Sequence, residues 1–195
     1  MSADIASALA QIEAGIRKLG RPTLDFLNPS IDPHRVRTLL SSRGLEPPGG
    51  LLELWQWHNG TGGAADVKLG ELWLVPGFYL LSVEEAAADF DAFRDDPRWR
   101  PSWLPVLANG GGDFLAVVSL GTSEHGAVHH FRIDQAEHPL EYLSVERMLA
   151  TFGAAFARGA FFVDHDGWLE ENHETYASIA AELNPEVRWW TDPVT

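Results

Sequence analysis

Residues 103–120 read WLPVLANGGGDFLAVVSL. Two apolar runs, one from Trp103 to Leu107 and one from Asp113 to Leu120, flank the turn Asn109-Gly110-Gly111-Gly112. Runs of this length, bounded by turn residues and rich in Val, Leu and Phe, predict strands. Pro105 within the first run suggests an edge position or an irregular start, because proline cannot donate to a ladder. A third apolar run, Ala127 to Ile133, follows after the turn region Gly121–Gly126. That spacing favours an antiparallel meander. The glycine-rich turn does not read as a phosphate cradle. Such a loop opens a helix, whereas Phe114-Leu115-Ala116-Val117-Val118 continues as strand.

Helical patterns surround this block. Ile5, Leu9, Ile12, Ile16 and Leu19 recur at steps of three and four, one stripe of a helix that Gly20 and Pro22 end. Asp32-Pro33 opens a second helix, with Asp as cap and Pro in the first turn, carrying Val36, Leu39 and Leu40 to Gly44. Pro47-Pro48 opens a third, with Leu51, Leu52, Leu54 and Trp55, stopped by Asn59-Gly60. The Gly60–Gly70 stretch reads as a loop. Glu71 to Leu81 reads as strand material interrupted by Pro76-Gly77. Ser82 with Glu85 forms a capping box for a helix over 83–95. Ser144 caps a helix over 145–158 whose Val145, Met148, Leu149, Phe152 and Phe156 face the core. A last helix is expected from Glu170 to Leu183, ended by Asn184-Pro185. No strand–helix alternation is sustained. The pattern predicts one α+β domain, a small antiparallel or mixed sheet with helices packed around it.

The chain has 195 residues, enough for one domain with a core of its own. It contains no cysteine, which excludes disulfides, thiolate zinc sites, iron–sulfur clusters and cysteine nucleophiles. The start Met1-Ser2-Ala3-Asp4 lacks a basic leader, and no apolar run is long enough to span a bilayer, so a cytoplasmic protein is expected.

Net charge is −14. A molecule so acidic repels phosphate backbones, so direct nucleic-acid binding is not expected. The excess is uneven. Residues 84–97 hold six acids against Arg94, and residues 160–195 hold eight against Arg188. The candidate partner-binding residues are therefore Asp89, Asp91, Asp95 and Asp96 in the first segment, and Asp164, Glu170, Glu171 and Glu174 in the second. If Glu170, Glu171 and Glu174 lie on the last helix, they share one side of it. Two readings stand: a charge that aids solubility, or an acidic face for a basic protein.

Other chemistry is thinly supported. His129 and His130 would point to opposite faces of a strand, so only one could join a site, and no His-Glu-x-x-His occurs. Asp164-His165-Asp166-Gly167 lacks half the ligands of a calcium loop and reads as a turn. No Gly-x-Ser-x-Gly elbow is present. Trp55, Trp57 and His58 could form a ligand platform or wedge a helix against a sheet. No catalytic residue, metal ligand or cofactor site is assigned.

Several landmarks together resemble one family. Leu51-Leu52-Glu53-Leu54-Trp55-Gln56-Trp57-His58-Asn59-Gly60 looks like its helix and Asn-Gly turn. Pro76-Gly77-Phe78-Tyr79-Leu80-Leu81-Ser82-Val83-Glu84-Glu85-Ala86 resembles its strand-into-helix element. Trp103-Leu104-Pro105-Val106 with Gly111-Gly112-Asp113 is similar to its paired central strands, and Phe161-Phe162-Val163-Asp164 with Asn184-Pro185 to its C-terminal end. In order and spacing these resemble the SUKH superfamily, the SMI/KNR type of fungal cell-wall-assembly regulators and bacterial immunity proteins. The likeness covers about residues 30–185, which leaves 1–30 as a helical extension ahead of a domain at 31–195. It implies a non-catalytic binding module. For a chain without long disordered flanks it implies an antidote that neutralises a cognate toxin, often a nuclease, through contact with a basic toxin domain. A regulatory scaffold of the SMI/KNR type, partner unknown, is the alternative.

Overall fold

In the computed structural model, which describes residues 1–63 and 66–192, the 103–118 block forms the middle of a five-stranded sheet. Strands β2 (Trp103–Ala108) and β3 (Phe114–Val118) pair antiparallel, and every residue of both is buried. Asn109 holds the turn between them. Its Oδ1 accepts from Gly111 N at 2.7 Å and Asp113 N at 3.1 Å. Asp113 then accepts from Ile133 N at 2.8 Å, tying the turn to the next strand. Strand β1 (Tyr79–Leu80) joins β2, while β4 (Val128–Phe131) and β5 (Leu140–Tyr142) follow β3, giving the order β1-β2-β3-β4-β5, antiparallel throughout.

Pro105 sits at an irregularity, as one of its two expected placements: the β2–β3 ladder skips one residue, Val106, whose carbonyl accepts from Leu81 N at 2.9 Å, and β1 pairs only with Leu107 and Ala108. Three expectations need correction. The Glu71–Leu81 strand shrinks to Tyr79–Leu80, because a 3-10 turn takes Leu69–Leu72 and Pro76-Gly77 closes a tight Val75–Phe78 bridge. The last helix begins at His173, not Glu170. Strands β6 (Phe161–Val163) and β7 (Leu169–Glu171) form a separate hairpin, and Asn172 caps the helix by accepting from Thr175 N. Glu170 and Glu171 are thus strand residues and share no helical side with Glu174. Finally, β5 and the short helix α7 (Arg188–Thr191) were not expected.

Helices cover both faces of the sheet. Phe114, Phe131, Trp103 and His129 occupy one face, where they meet Trp99 and Phe93, the last residue of α4 (Val83–Phe93). Leu115, Val117, Val128 and Tyr142 occupy the other. There Tyr142 meets Phe152 of α5 (Val145–Ala157). Helix α1 (Ala3–Lys18) lies along α5, burying Ile5, Leu9, Ile12 and Ile16 as the spacing predicts. The two helices approach so closely that a Cβ on Gly15 would overlap the Phe156 side chain. Helix α2 (Pro33–Ser41), capped by Asp32 as expected, packs on α3 (Gly49–Trp57). Helix α6 (His173–Leu183) packs on α5, and its end is fixed by buried Asn184, which donates to Thr151 Oγ1 at 3.0 Å. Ala64 and Ala65 of the Gly60–Gly70 loop lie outside the described residues, as do 193–195.

Trp55, Trp57 and His58 act as wedges. Trp55 is fully buried and donates to Leu81 O at 2.9 Å; Trp57 donates to Glu13 at 2.8 Å; His58 Nδ1 meets Asn28 O at 2.7 Å. The Asn59-Gly60 turn then crosses the start of α4. Asn59 accepts from Val83 N at 2.9 Å and donates to Glu84, while Gly60 sits at φ 82° directly against the Ser82 backbone. Gly60→Ala therefore combines a left-handed φ with overlap of two backbones, and should cost more than ~2 kcal/mol. Phe152→Ala removes a buried ring and should cost ~3–5 kcal/mol. Denaturant melts of both variants check these values, and an unchanged midpoint would contradict either placement.

Candidate functional site

A cleft of about 440 Å³ opens between the sheet and the C-terminal segment. Its sheet wall carries Leu115, His130 and Tyr142; its opposite wall comes from β6, β7, α6 and α7. Aromatic rings dominate, with Trp73 and Phe78 on one side, Phe161 and Tyr176 on the other, and Trp189 and Trp190 at the end. Mostly apolar linings with a few placed polar groups are typical of sites that hold a ligand or a partner's side chain.

The polar groups come from one irregularity. Between the Val128–Tyr142 and His129–Leu140 pairs, β5 carries an extra residue, Glu141. A bulge re-aims the side chain at that point. Glu141 is 7% exposed, and its Oε1 lies 2.9 Å from His130 Nδ1. The outer carbonyl of Glu141 accepts from the Trp190 indole at 2.6 Å. Glu171 lies on the same face of its hairpin as Phe161, its cross-strand partner, and stands 3.2 Å from His173 Nδ1. Tyr142 and Tyr176 share a hydrogen bond through their hydroxyls. Burial pushes both phenols well up, and the charges of Glu141 and Glu171 push the same way. Arg132 also lines the cleft, but its guanidinium lies 5.4 Å over the Trp189 ring and donates to Glu137 O.

The sequence-predicted acids divide between the two faces of the sheet. Asp89 and Asp91 lie on α4, and Asp95 and Asp96 just after it, on the Phe114–Phe131 side. Asp91 is bound at 2.6 Å by Arg43, and Asp96 at 2.7 Å by Arg98, whose hydrogen bonds pull the Asp96 carboxyl down to about 2. Asp89 is pushed up by burial and by Glu85. Asp95 lines a shallow depression with Arg43 and Arg94. The second group surrounds the cleft. Glu171 faces it, Glu170 points to the outer side of the hairpin, and Glu174 is exposed in the first turn of α6. Asp164 holds the hairpin turn by accepting from Asp166 N at 3.0 Å and Trp168 N at 2.8 Å. With His165 and Asp166 it forms an exposed carboxylate–histidine group, whose main visible work is that turn. Sequence reasoning missed Glu141 and Trp190, and weighed His130 only as a metal ligand. No local signal marks a one-residue bulge, and the partners lie on different elements.

A five-stranded antiparallel sheet with helices on both faces defines a single α+β domain. The model of the SMI1 / KNR4 family (SUKH-1) matches residues 43–156, more than half of the chain, and the chain belongs to that family. A comparison with curated proteins finds no match. The matched stretch ends at Phe156, so the cleft wall formed by β6, β7, α6 and α7 lies beyond it. Among the described residues no helix is long and apolar enough to cross a membrane.

On the other face of the sheet, His129 stacks on Trp103 and His138 on Phe131. Burial is the main cause that lowers both below the ordinary 6.5; for His129 the hydrogen bond to the His138 carbonyl opposes it, Arg100 adds to it, and Glu124 and Glu141 oppose it more weakly, while for His138 Arg98 and Arg132 add to burial against Asp96. The folded state thus resists protons that the unfolded chain accepts. Stability should be fully present above pH ~6.5 and fall as pH drops toward the folded values. Melting temperatures at pH 7.5 and 5.5 test this: the wild type should lose stability at the lower pH, and His129→Phe should lose less.

Proposed function

We propose that this chain is a non-catalytic binding protein of the immunity type, which occupies and neutralises a basic toxin domain inside the cell that makes it. Family membership supplies the class. The observation that carries the reading is the charge of −14, concentrated in two segments of which the second borders an aromatic cleft. Domains that act on nucleic acid present basic surfaces. An inhibitor of opposite potential meets them with a faster on-rate and a defined orientation. In this reading Glu170, Glu171 and Glu174, with Asp164 behind them, face the partner. Asp89, Asp91, Asp95 and Asp96, on the other side and partly neutralised by Arg43 and Arg98, add long-range attraction.

The test is a co-expression experiment. The partner to be used is the C-terminal domain of a large secreted protein, if one is encoded beside this chain. Wild type should protect cells and form a stable complex. Glu170→Lys, Glu171→Lys and Glu174→Lys together should slow association about tenfold or more and flatten its salt dependence, at nearly unchanged melting temperature. Reversal of Asp89, Asp91, Asp95 and Asp96 should have the smaller effect. Association that keeps its rate and salt slope in both sets would overturn the electrostatic reading.

A further inference from the structure

The cleft has a chemical preference of its own. Its most buried charged side chain is a carboxylate, Glu141, which offers one oxygen to His130; the second oxygen has no hydrogen-bond partner among the described residues. The acids that face the cleft, Glu141 and Glu171, outnumber its single arginine, Arg132, which is already engaged with Trp189 and Glu137. His130 and His173 each face one of these carboxylates. Trp73, Phe78 and Trp190 are half-buried, so their ring surfaces are open to an incoming group. Aromatic faces around a carboxylate attract a cation by two additive routes, ring quadrupole and ion pairing. A planar guanidinium fits such a slot better than an ammonium, because it stacks and donates in one plane.

We propose that the cleft is an arginine-binding site: a partner's arginine side chain enters between the Trp73–Phe78 wall and Trp190 and donates to Glu141, with Glu171 as the second acidic group near its head. This rests on the reading of the chain as a binder of a basic protein and names the contact by which it binds. Trp73, Phe78 and Glu141 lie within the residues that the family match covers, and Glu171 and Trp190 lie beyond them. Orientation follows as well. The partner's arginine would dock from the side that carries Glu170, Glu171 and Glu174, with α4 directed away from the contact.

The experiment needs no identified partner. The full chain, labelled with nitrogen-15, is titrated at pH 7.5 with N-acetyl-arginine amide and, separately, with N-acetyl-citrulline amide, which has nearly the same shape and no charge. Indole N–H resonances of Trp73, Trp189 and Trp190 report on the cleft, and that of Trp55, buried elsewhere, serves as the internal reference. The arginine compound should shift the cleft indoles with a dissociation constant of about millimolar, and the citrulline compound should bind about tenfold more weakly or worse. Glu141→Gln should remove most of that difference. The charged-versus-neutral comparison on wild type stands even if this variant folds poorly. Absence of any indole shift up to the solubility limit, or equal binding of citrulline, overturns the proposal. Neither result bears on whether a toxin domain associates through the acidic surface, which the charge-reversal experiment reads separately.

Discussion

A sheet whose central strands are buried on both faces must be covered twice, and most of this molecule follows from that demand. β2 and β3 contain no exposed residue, so neither side could be left to water. One cover is α4 with Trp99, set on Phe114 and Phe131; the other is α5, backed by α1. The covers must also be joined at fixed separation. Asn59-Gly60 does this, because it ends α3, which packs on α1 and α5, and its side chain bonds the first turn of α4 while its backbone lies against Ser82. Arg21 makes a second junction, donating to Gly70 O and to Gly167 O, which draws the β6–β7 turn toward the segment before β1.

The double cover also explains why the acidic residues cannot form one surface. Each acidic segment belongs to a different cover, so the sheet stands between them. On the α4 side arginines answer Asp91 and Asp96 directly. On the other side the carboxylates surround a cleft whose floor is aromatic and whose buried acid, Glu141, comes from a strand irregularity. Uncompensated charge beside an open apolar cavity is an arrangement that suits recognition better than solubility alone.

Much of this was readable from sequence where the signal is local. Helical stripes such as Ile5-Leu9-Ile12-Ile16, the caps at Asp32, Ser82 and Ser144, and the apolar runs around Asn109–Gly112 each carry their own periodicity or turn chemistry, and the structure places them as read. Trp55, Leu81, Phe114, Val117, Phe131, Leu149, Phe152 and Ile179, each on the apolar side of its element, are all buried. Failures fall where long-range pairing decides. Glu170 and Glu171 look helical beside Glu174, but pairing with Phe161 and Phe162 makes them strand. Leu140–Tyr142 is too short to announce itself and exists because β4 offers it an edge. The cleft was out of reach for the same reason: His130, Glu141, Tyr176 and Trp190 meet only after the sheet, the hairpin and the last two helices are in place.

Trp190 has a further consequence for how the protein can associate. By donating its indole to the outer carbonyl of Glu141, it occupies a main-chain acceptor on the free side of β5. The opposite border of the sheet is β1, two residues long. Both borders are short, three residues in β5 and two in β1, so each offers little ladder onto which a foreign strand could add. Short borders disfavour edge-to-edge polymerisation. Association with another chain is then left mainly to side chains and shape, and so can be altered one residue at a time without rebuilding the fold.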